Sequence, residues 1–359
     1  MILDDLSQIK KLDKIMSYKS IETLADQVRQ VLGEAHLIKV PAEYTVKNNI
    51  NQVVVNGMGG SNLGAGIIKA VWSNEIKLPL SIVPGYEVPA SVDKKTLYII
   101  SSYSGGTEEP LSVYKEVKKR GAKILGIASR GGNKLEKLMI KENIPGYIFN
   151  PRFNSCKVPR LGVGYTFFGT AVILAKAGLF KIDIKEVKDI IANMEIRDRE
   201  LRPTEKTRNN PAKLTALDFY NKIPIVVAAE FLSGNLRALR NQICESGKNF
   251  AGYLTVPELN HYAMEGLACP EANRKNLMFL FIDSDLYHPR NQKRIALTKK
   301  IVKRNGIKFS EHKLLSRAKL GQAFELLQFG TWTSYYLGIL NKKDPSSNPW
   351  VDWFKEKLG

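Results

Sequence analysis

Two short loops carry serine, threonine and glycine in an order suited to holding an anion. The first is Gly57-Met58-Gly59-Gly60-Ser61 and the second is Ser102-Tyr103-Ser104-Gly105-Gly106-Thr107. Glycine lets a backbone approach a ligand closely and adopt positive φ. Hydroxyls, and the open amides at a helix N-terminus, donate to oxygen anions. The excess of hydroxyls over glycines suits a phosphomonoester, whose oxygens want several donors. The first loop reads Gly57-x-Gly59-x-x-Asn62, so it lacks the third glycine of a dinucleotide fingerprint. No Gly-Lys-Ser/Thr follows either loop, which excludes a Walker A site.

Three further segments carry groups with chemistry. Arg160, in Pro159-Arg160-Leu161-Gly162, could stabilise developing negative charge, and it also reads as a surface arginine. Glu245 falls where a helix should end, in Gln242-Ile243-Cys244-Glu245-Ser246-Gly247. A carboxylate held rigidly and partly desolvated there suits a general base; a solvated helix-end glutamate is the alternative. His261, in Pro257-Glu258-Leu259-Asn260-His261, has Asn260 and Glu265 nearby and could shuttle protons. The histidines His36, His261, His288 and His312 lie far apart with no ligand-type spacing, so no metal site is expected. Cys244 beside Glu245 reads as a buried structural cysteine.

The elements that must position these groups alternate. Residues 1–48 read as helical, with Ile2, Leu6, Ile9, Leu12 and Ile15 on one apolar stripe. Strands are expected at 52–56, 79–83, 96–101, 122–127 and 147–149, with helices at 62–73, 108–120, 133–142 and 166–178. A second alternation places strands at 224–229, 250–254, 277–282 and 307–311, and helices at 235–246, 289–305 and 318–339. Such alternation implies parallel sheets covered on both faces. Each glycine-serine loop then stands at the carboxyl end of a strand, where two such loops converge on one ligand. The charged stretch 195–213, with Pro203 and Pro211, reads as an inter-domain connection. The aromatics of the tail, Trp350, Trp353 and Phe354, suggest that it docks on the body of the protein.

The chain has 359 residues, enough for two ordinary domains. Its net charge of +19 favours anionic partners, yet the lysines and arginines are spread along the chain without interleaved aromatics. A solvated basic surface is expected, and no nucleic-acid groove. Asp4 and Asp5 stand too early for a secretory leader, and no apolar run is long enough to span a bilayer. Three scattered cysteines, Cys156, Cys244 and Cys269, make no disulfide framework, so a cytoplasmic location is expected.

The two loops resemble those of the sugar isomerase (SIS) domain, a flavodoxin-like α/β sandwich that binds sugar phosphates. Together with Pro159-Arg160, Gln242-x-x-Glu245-Ser246, Pro257-Glu258-Leu259-Asn260-His261 and the tail from Asp344-Pro345 to Lys355, they make the chain similar to the bifunctional phosphoglucose/phosphomannose isomerase family over residues 52–355. The resemblance implies two three-layer αβα sandwiches with parallel sheets. It divides the chain into an N-terminal helical segment (1–48), a first SIS domain (49–190), a connection (191–215), a second SIS domain (216–340) and a helical tail (341–359). It implies substrate phosphate contacts at Gly59, Gly60, Ser61, Ser102, Ser104 and Thr107. It further implies Glu245 as the base moving a proton between C1 and C2, His261 and Lys355 in ring opening, and Arg160 near the enediolate. No metal or redox cofactor is implied, because the reaction is an internal proton shift. The implied partner is a second copy, in a homodimer with the site near the subunit boundary. The sequence departs from the family at Gly106, where Asn is usual, at Tyr262, and at Ser346-Ser347-Asn348. A single-domain sugar-phosphate isomerase is disfavoured by the two sandwiches. A sugar-phosphate-sensing regulator is disfavoured because residues 1–48 are too short for a DNA reader plus linker.

Overall fold

The computed structural model describes residues 1–359, which form two compact units: Thr23–Asn193, and Met1–Glu22 with Met194–Gly359. The unit Thr23–Asn193 is built on five parallel strands. These are β1 (Gln52–Asn56), β2 (Leu80–Val83), β3 (Thr96–Ser102), β4 (Lys123–Ser129) and β5 (Gly146–Phe149), in the order β2-β1-β3-β4-β5. That is the flavodoxin-like order, with its topological switch between β1 and β3. Every residue of β3 is buried, as a central strand covered on both faces requires. One face packs Val54, Tyr98, Ile100, Val117, Leu135 and Met139 into a core. On Gly64 a methyl would lie 2.5 Å from the Phe167 Cα, so helices Gly60–Val71 and Val163–Lys176 meet almost backbone to backbone. The helix expected over 108–120 is divided at Val113 into Glu108–Ser112 and Tyr114–Lys119.

The second unit carries β6 (Ile223–Ala229), β7 (Gly252–Val256), β8 (Leu277–Asp283) and β9 (Lys308–Lys313) in a parallel sheet ordered β7-β6-β8-β9. Its spine is the helix Lys319–Leu340, buried from Leu320 to Leu340. A helix apolar almost all round must be covered on all sides. Its serine and threonine hydroxyls are satisfied within the helix: Thr331 donates to Leu327 O over 2.7 Å and Ser334 to Gly330 O over 2.7 Å. The chain start belongs to this unit. The Asp13 carboxylate accepts from Tyr335 OH (2.9 Å) and from Ser17 N–H (2.8 Å). Lys213, fully buried, donates to Pro203 O (2.9 Å) and Glu205 O (2.6 Å) and pairs with Asp4 (3.3 Å). No helix is long and apolar enough to cross a membrane.

Three expectations are corrected. The stripe over residues 1–15 does not form one helix. Asp5 caps Leu6–Leu12, accepting from Ser7 N–H (2.9 Å), and the Asp13 side chain then captures the next turn's amides. Leu3 and Ile9 are buried, whereas Ile15 is 49% exposed. The stretch 195–213 is mostly helical: Ile184–Leu201 covers its start, and Pro211 opens the helix Pro211–Phe219. Proline at a first helical position loses no hydrogen bond, and the Asn210 side chain caps that helix. The charged run is anchored by Asp198, which accepts from the buried Trp332 indole over 3.1 Å. Finally, the tail helix Pro349–Leu358 has no buried residue, and Trp350 is 81% exposed. Its aromatics do not dock within the chain.

Candidate active site

The two hydroxyl loops meet at the carboxyl ends of β1 and β3, adjacent parallel strands. Tyr103 N–H donates to Ser61 Oγ (2.8 Å), and Ser101 Oγ donates to Ser61 O (2.8 Å). A methyl on Gly57 would lie 2.6 Å from Ser101 O, so only glycine permits this approach. Gly59 takes φ +49° to turn the chain into the helix Gly60–Val71, whose N-terminus no side chain caps. Ser61 N–H and Asn62 N–H donate to Met58 O (3.0 Å) and Gly59 O (3.2 Å) as the helix opens, and the positive end of the helix faces the loop. In the second loop Ser102 Oγ donates to Thr107 Oγ1 (2.9 Å), and Ser104, exposed, lies 3.5 Å from the same oxygen. Gly105 takes φ +62°. The loop after β4 braces it: Leu135 N–H donates to Gly105 O (2.8 Å), and the Glu136 carboxylate accepts from Gly131 N–H (2.9 Å) and Gly132 N–H.

Arg160 belongs to the same unit, on the 3-10 turn Pro159–Leu161. Its Cα would be 3.5 Å from a methyl on Gly60, so the turn lies against the first loop. The residue is 4% exposed. The Gln27 side chain, fully buried, braces the turn from the helix Leu24–Gly33. Its Nε2 donates to Leu161 O (2.8 Å) and Phe153 O (3.0 Å), and its Oε1 accepts from Gly164 N–H (3.1 Å).

Glu245, His261 and Lys355 belong to the other unit. Glu245 is the last residue of the helix Ser233–Glu245 and is half-buried. The Lys248 ammonium donates to its backbone oxygen and to Ser347 O, and Asn341 Nδ2 donates to Gly247 O (2.8 Å). The root of the tail thus lies beside the end of this helix. His261 closes the 3-10 turn Glu258–His261 after β7 and is exposed. Lys355 is exposed on the tail helix. The helix Ser233–Glu245 returns the chain from the end of β6 to the start of β7, which are parallel. Glu245 therefore stands at the amino end of this sheet and His261 at its carboxyl end. The structure does not bring the two together within one chain. The carboxyl end of β8 borders a cavity of about 240 Å³ whose charges are paired internally, Lys299 with Asp283 (2.7 Å) and Lys313 with Asp285 (2.9 Å). The second sheet has no counterpart of the hydroxyl cradle there.

Comparison with known proteins decides the family. A model described as the bacterial phospho-glucose isomerase C-terminal SIS domain matches residues 208–358. A bifunctional phosphoglucose/phosphomannose isomerase of Caldicellulosiruptor bescii is 32% identical over 354 residues, spanning 95% of this chain and 98% of that relative. The chain belongs to the bifunctional phosphoglucose/phosphomannose isomerase family. A second member, from Aquifex aeolicus, is 28% identical over 307 residues, 85% of this chain and 90% of its own. Among solved structures, a hypothetical protein of Thermus thermophilus shares the fold with a TM-score of 0.72 at 15% identity, covering 96% of this chain and 89% of that one.

In this isomerase-family chain, the residues that sequence reasoning missed are braces. Gln27, Tyr103 and Asn154 make their decisive contacts with segments far along the chain, and nothing in their own neighbourhoods marks them. Buried amides are the one available signal, since a glutamine on the inner face of a helix needs partners.

Proposed function

We propose that this chain interconverts glucose 6-phosphate and mannose 6-phosphate with fructose 6-phosphate through a cis-enediolate, serving glycolysis and gluconeogenesis. The observation that carries the reading is the cradle at the ends of β1 and β3. There Ser61, Ser102, Ser104 and Thr107 gather beside an uncapped helix N-terminus, in a member of this isomerase family. We take 49–190 and 216–340 as the two SIS domains.

The phosphate is held by these hydroxyls with the Gly59 and Gly60 backbone. That binding energy positions the far end of the sugar. His261 and Lys355 move a proton from the O1 hydroxyl to the ring oxygen O5, which opens the ring. Glu245 removes the C2 proton of the aldose, and the electron pair moves into the enediolate, whose charge Arg160 offsets. The O2 hydroxyl proton passes to O1, Glu245 returns its proton to C1, and the ketose results with C2 as the carbonyl and O1 as a hydroxyl. Rotation about C2–C3 lets a proton reach either face of C2 in the reverse direction, giving both epimers. The chemistry is an internal proton shift and calls for no redox partner.

We also read the chain as a cytoplasmic homodimer with its site near the subunit boundary. Two groups assigned to one reaction, Glu245 and His261, stand at opposite ends of one sheet. An acid–base pair separated in that way can meet between two copies. The exposed aromatic face of Pro349–Leu358 is a surface a second copy could cover. The three cysteines form no disulfide, as suits a reducing compartment.

The test is incubation with each of the three hexose 6-phosphates, following all products, alongside sedimentation of the same preparation. Conversion among all three by a dimer supports the reading. Binding without conversion would favour a sugar-phosphate-binding regulator, and conversion of a different sugar phosphate another isomerase of the SIS group.

A further inference from the structure

We propose that Tyr103 and Asn154 are positioning residues that fix the Arg160 turn against the phosphate loops and so act on catalysis through Arg160. The inference rests on the role given to Arg160 above.

Tyr103 lies between two phosphate-loop serines, yet its side chain points inward and is 3% exposed. Its backbone is tied on both sides: the N–H donates to Ser61 Oγ (2.8 Å), and the carbonyl accepts from Ser129 N–H (3.2 Å). Its phenol oxygen accepts from Asn154 Nδ2 (2.6 Å). Asn154 is 1% exposed, and the same nitrogen donates to Val158 O (3.0 Å). Asn154 is itself fixed, since its N–H donates to Pro151 O (3.2 Å) and its carbonyl accepts from Lys157 N–H (3.0 Å). Val158 immediately precedes the turn Pro159–Leu161, and Gly162 immediately follows it. Gly162 lies against the Tyr103 ring so closely that a methyl there would be 2.2 Å from Cε2. One tyrosine therefore touches both ends of the Arg160 turn, through Asn154 on one side and through its ring on the other. The continuous chain of contacts is Ser61, Tyr103, Asn154, Val158.

An arginine that stabilises an enediolate must be placed relative to the anchored phosphate, because a misplacement of about 1 Å can cost on the order of 100-fold in rate. Burial pushes the Tyr103 phenol up to about 12, so the link does not titrate near neutrality. The hydroxyls that face the phosphate belong to other residues. Loosening the link should therefore spare substrate binding and slow the chemical step.

The experiment compares wild type, Tyr103→Phe, Arg160→Gln and the double variant. Tyr103→Phe keeps the ring and removes only the acceptor. Expected are a kcat lowered roughly 10-fold, a KM within about threefold, and an unchanged pH profile. Binding of a five-carbon aldonate 5-phosphate, whose planar carboxylate copies the enediolate, should weaken about as much as kcat falls. Inorganic phosphate should bind as before. In the Arg160→Gln background, Tyr103→Phe should weaken the aldonate no further. Asn154→Ser provides a second break in the same link should Tyr103→Phe fold poorly. The inference is overturned if kcat is unchanged, if KM alone rises, or if the two losses of aldonate affinity multiply. A wild-type chain that converts no hexose phosphate overturns the functional reading, and this inference with it; an active wild type with an indifferent Tyr103→Phe overturns this inference alone.

Discussion

The Tyr103 backbone N–H donates to the Ser61 hydroxyl over 2.8 Å, so the second phosphate loop is hung on a side chain of the first. Ser61 is 6% exposed, and its Oγ is the acceptor in this bond. Ser61→Ala removes a proposed phosphate donor and strands a buried amide, which costs about 1–3 kcal/mol. Ser104, exposed and with only long contacts at 3.5 Å, has no such structural duty. Ser61→Ala should raise KM for fructose 6-phosphate about 10-fold or more and lower the melting temperature. Ser104→Ala should raise KM alone. Thermal melts beside steady-state kinetics check both; equal melting losses would refute the distinction.

Gly105 and Gly106 should respond differently to the same substitution. Gly105 holds φ +62°, and a methyl on it would lie 1.7 Å from Asn133 Oδ1. The left-handed backbone alone costs about 1–2 kcal/mol, and Asn133 must also move. A methyl on Gly106 meets nothing within 4 Å. Gly105→Ala should raise KM sharply and Gly106→Ala hardly at all, as kinetics with fructose 6-phosphate would reveal.

Glu245→Gln preserves shape and removes the basic oxygen. Turnover should fall by roughly 100- to 10,000-fold, the range of general-base contributions, while inorganic phosphate binding holds. Loss of hydrogen exchange between C2 and solvent during turnover should accompany it. Near-normal turnover would remove Glu245 from its assigned role.

His312 should make the fold acid-sensitive. Its ring stacks on Phe329 with centroids 3.7 Å apart, and its Nε2 has no hydrogen-bond partner. Burial, with the positive Arg197 nearby, pushes it down to about 4 from an ordinary 6.5. Between those values the unfolded chain binds the proton and the folded chain does not. Stability from this group is therefore complete above about pH 6.5 and is lost as pH falls toward 4, with a limiting slope of about 1.4 kcal/mol per pH unit. Urea melts from pH 7.5 to 4.5 should show the loss, and His312→Gln should flatten it.

The sheets and the hydroxyl loops were legible because their signals are local. Val53-Val54-Val55 followed by glycines and Ser61 announces a buried strand and its turn within nine residues of chain. The braces were not legible, because their partners are remote. Gln27 reaches Leu161 across 134 positions, and Tyr103 meets Asn154 across 51. Helical periodicity marks an inner face without naming what it touches, so residues 1–48 read as one segment although they divide between two units at Glu22. The tail aromatics carried a burial signal that the single chain does not satisfy. Apolar character speaks of cover and does not say whether the cover is the chain itself.

The division at Glu22 also has a bearing on synthesis. Asp13 waits for Tyr335, 322 positions later. At about 5–20 residues per second of translation, that wait is on the order of tens of seconds. Thr23–Asn193 can close early on the ribosome, while residues 1–22 stay unclaimed until the long helix Lys319–Leu340 emerges.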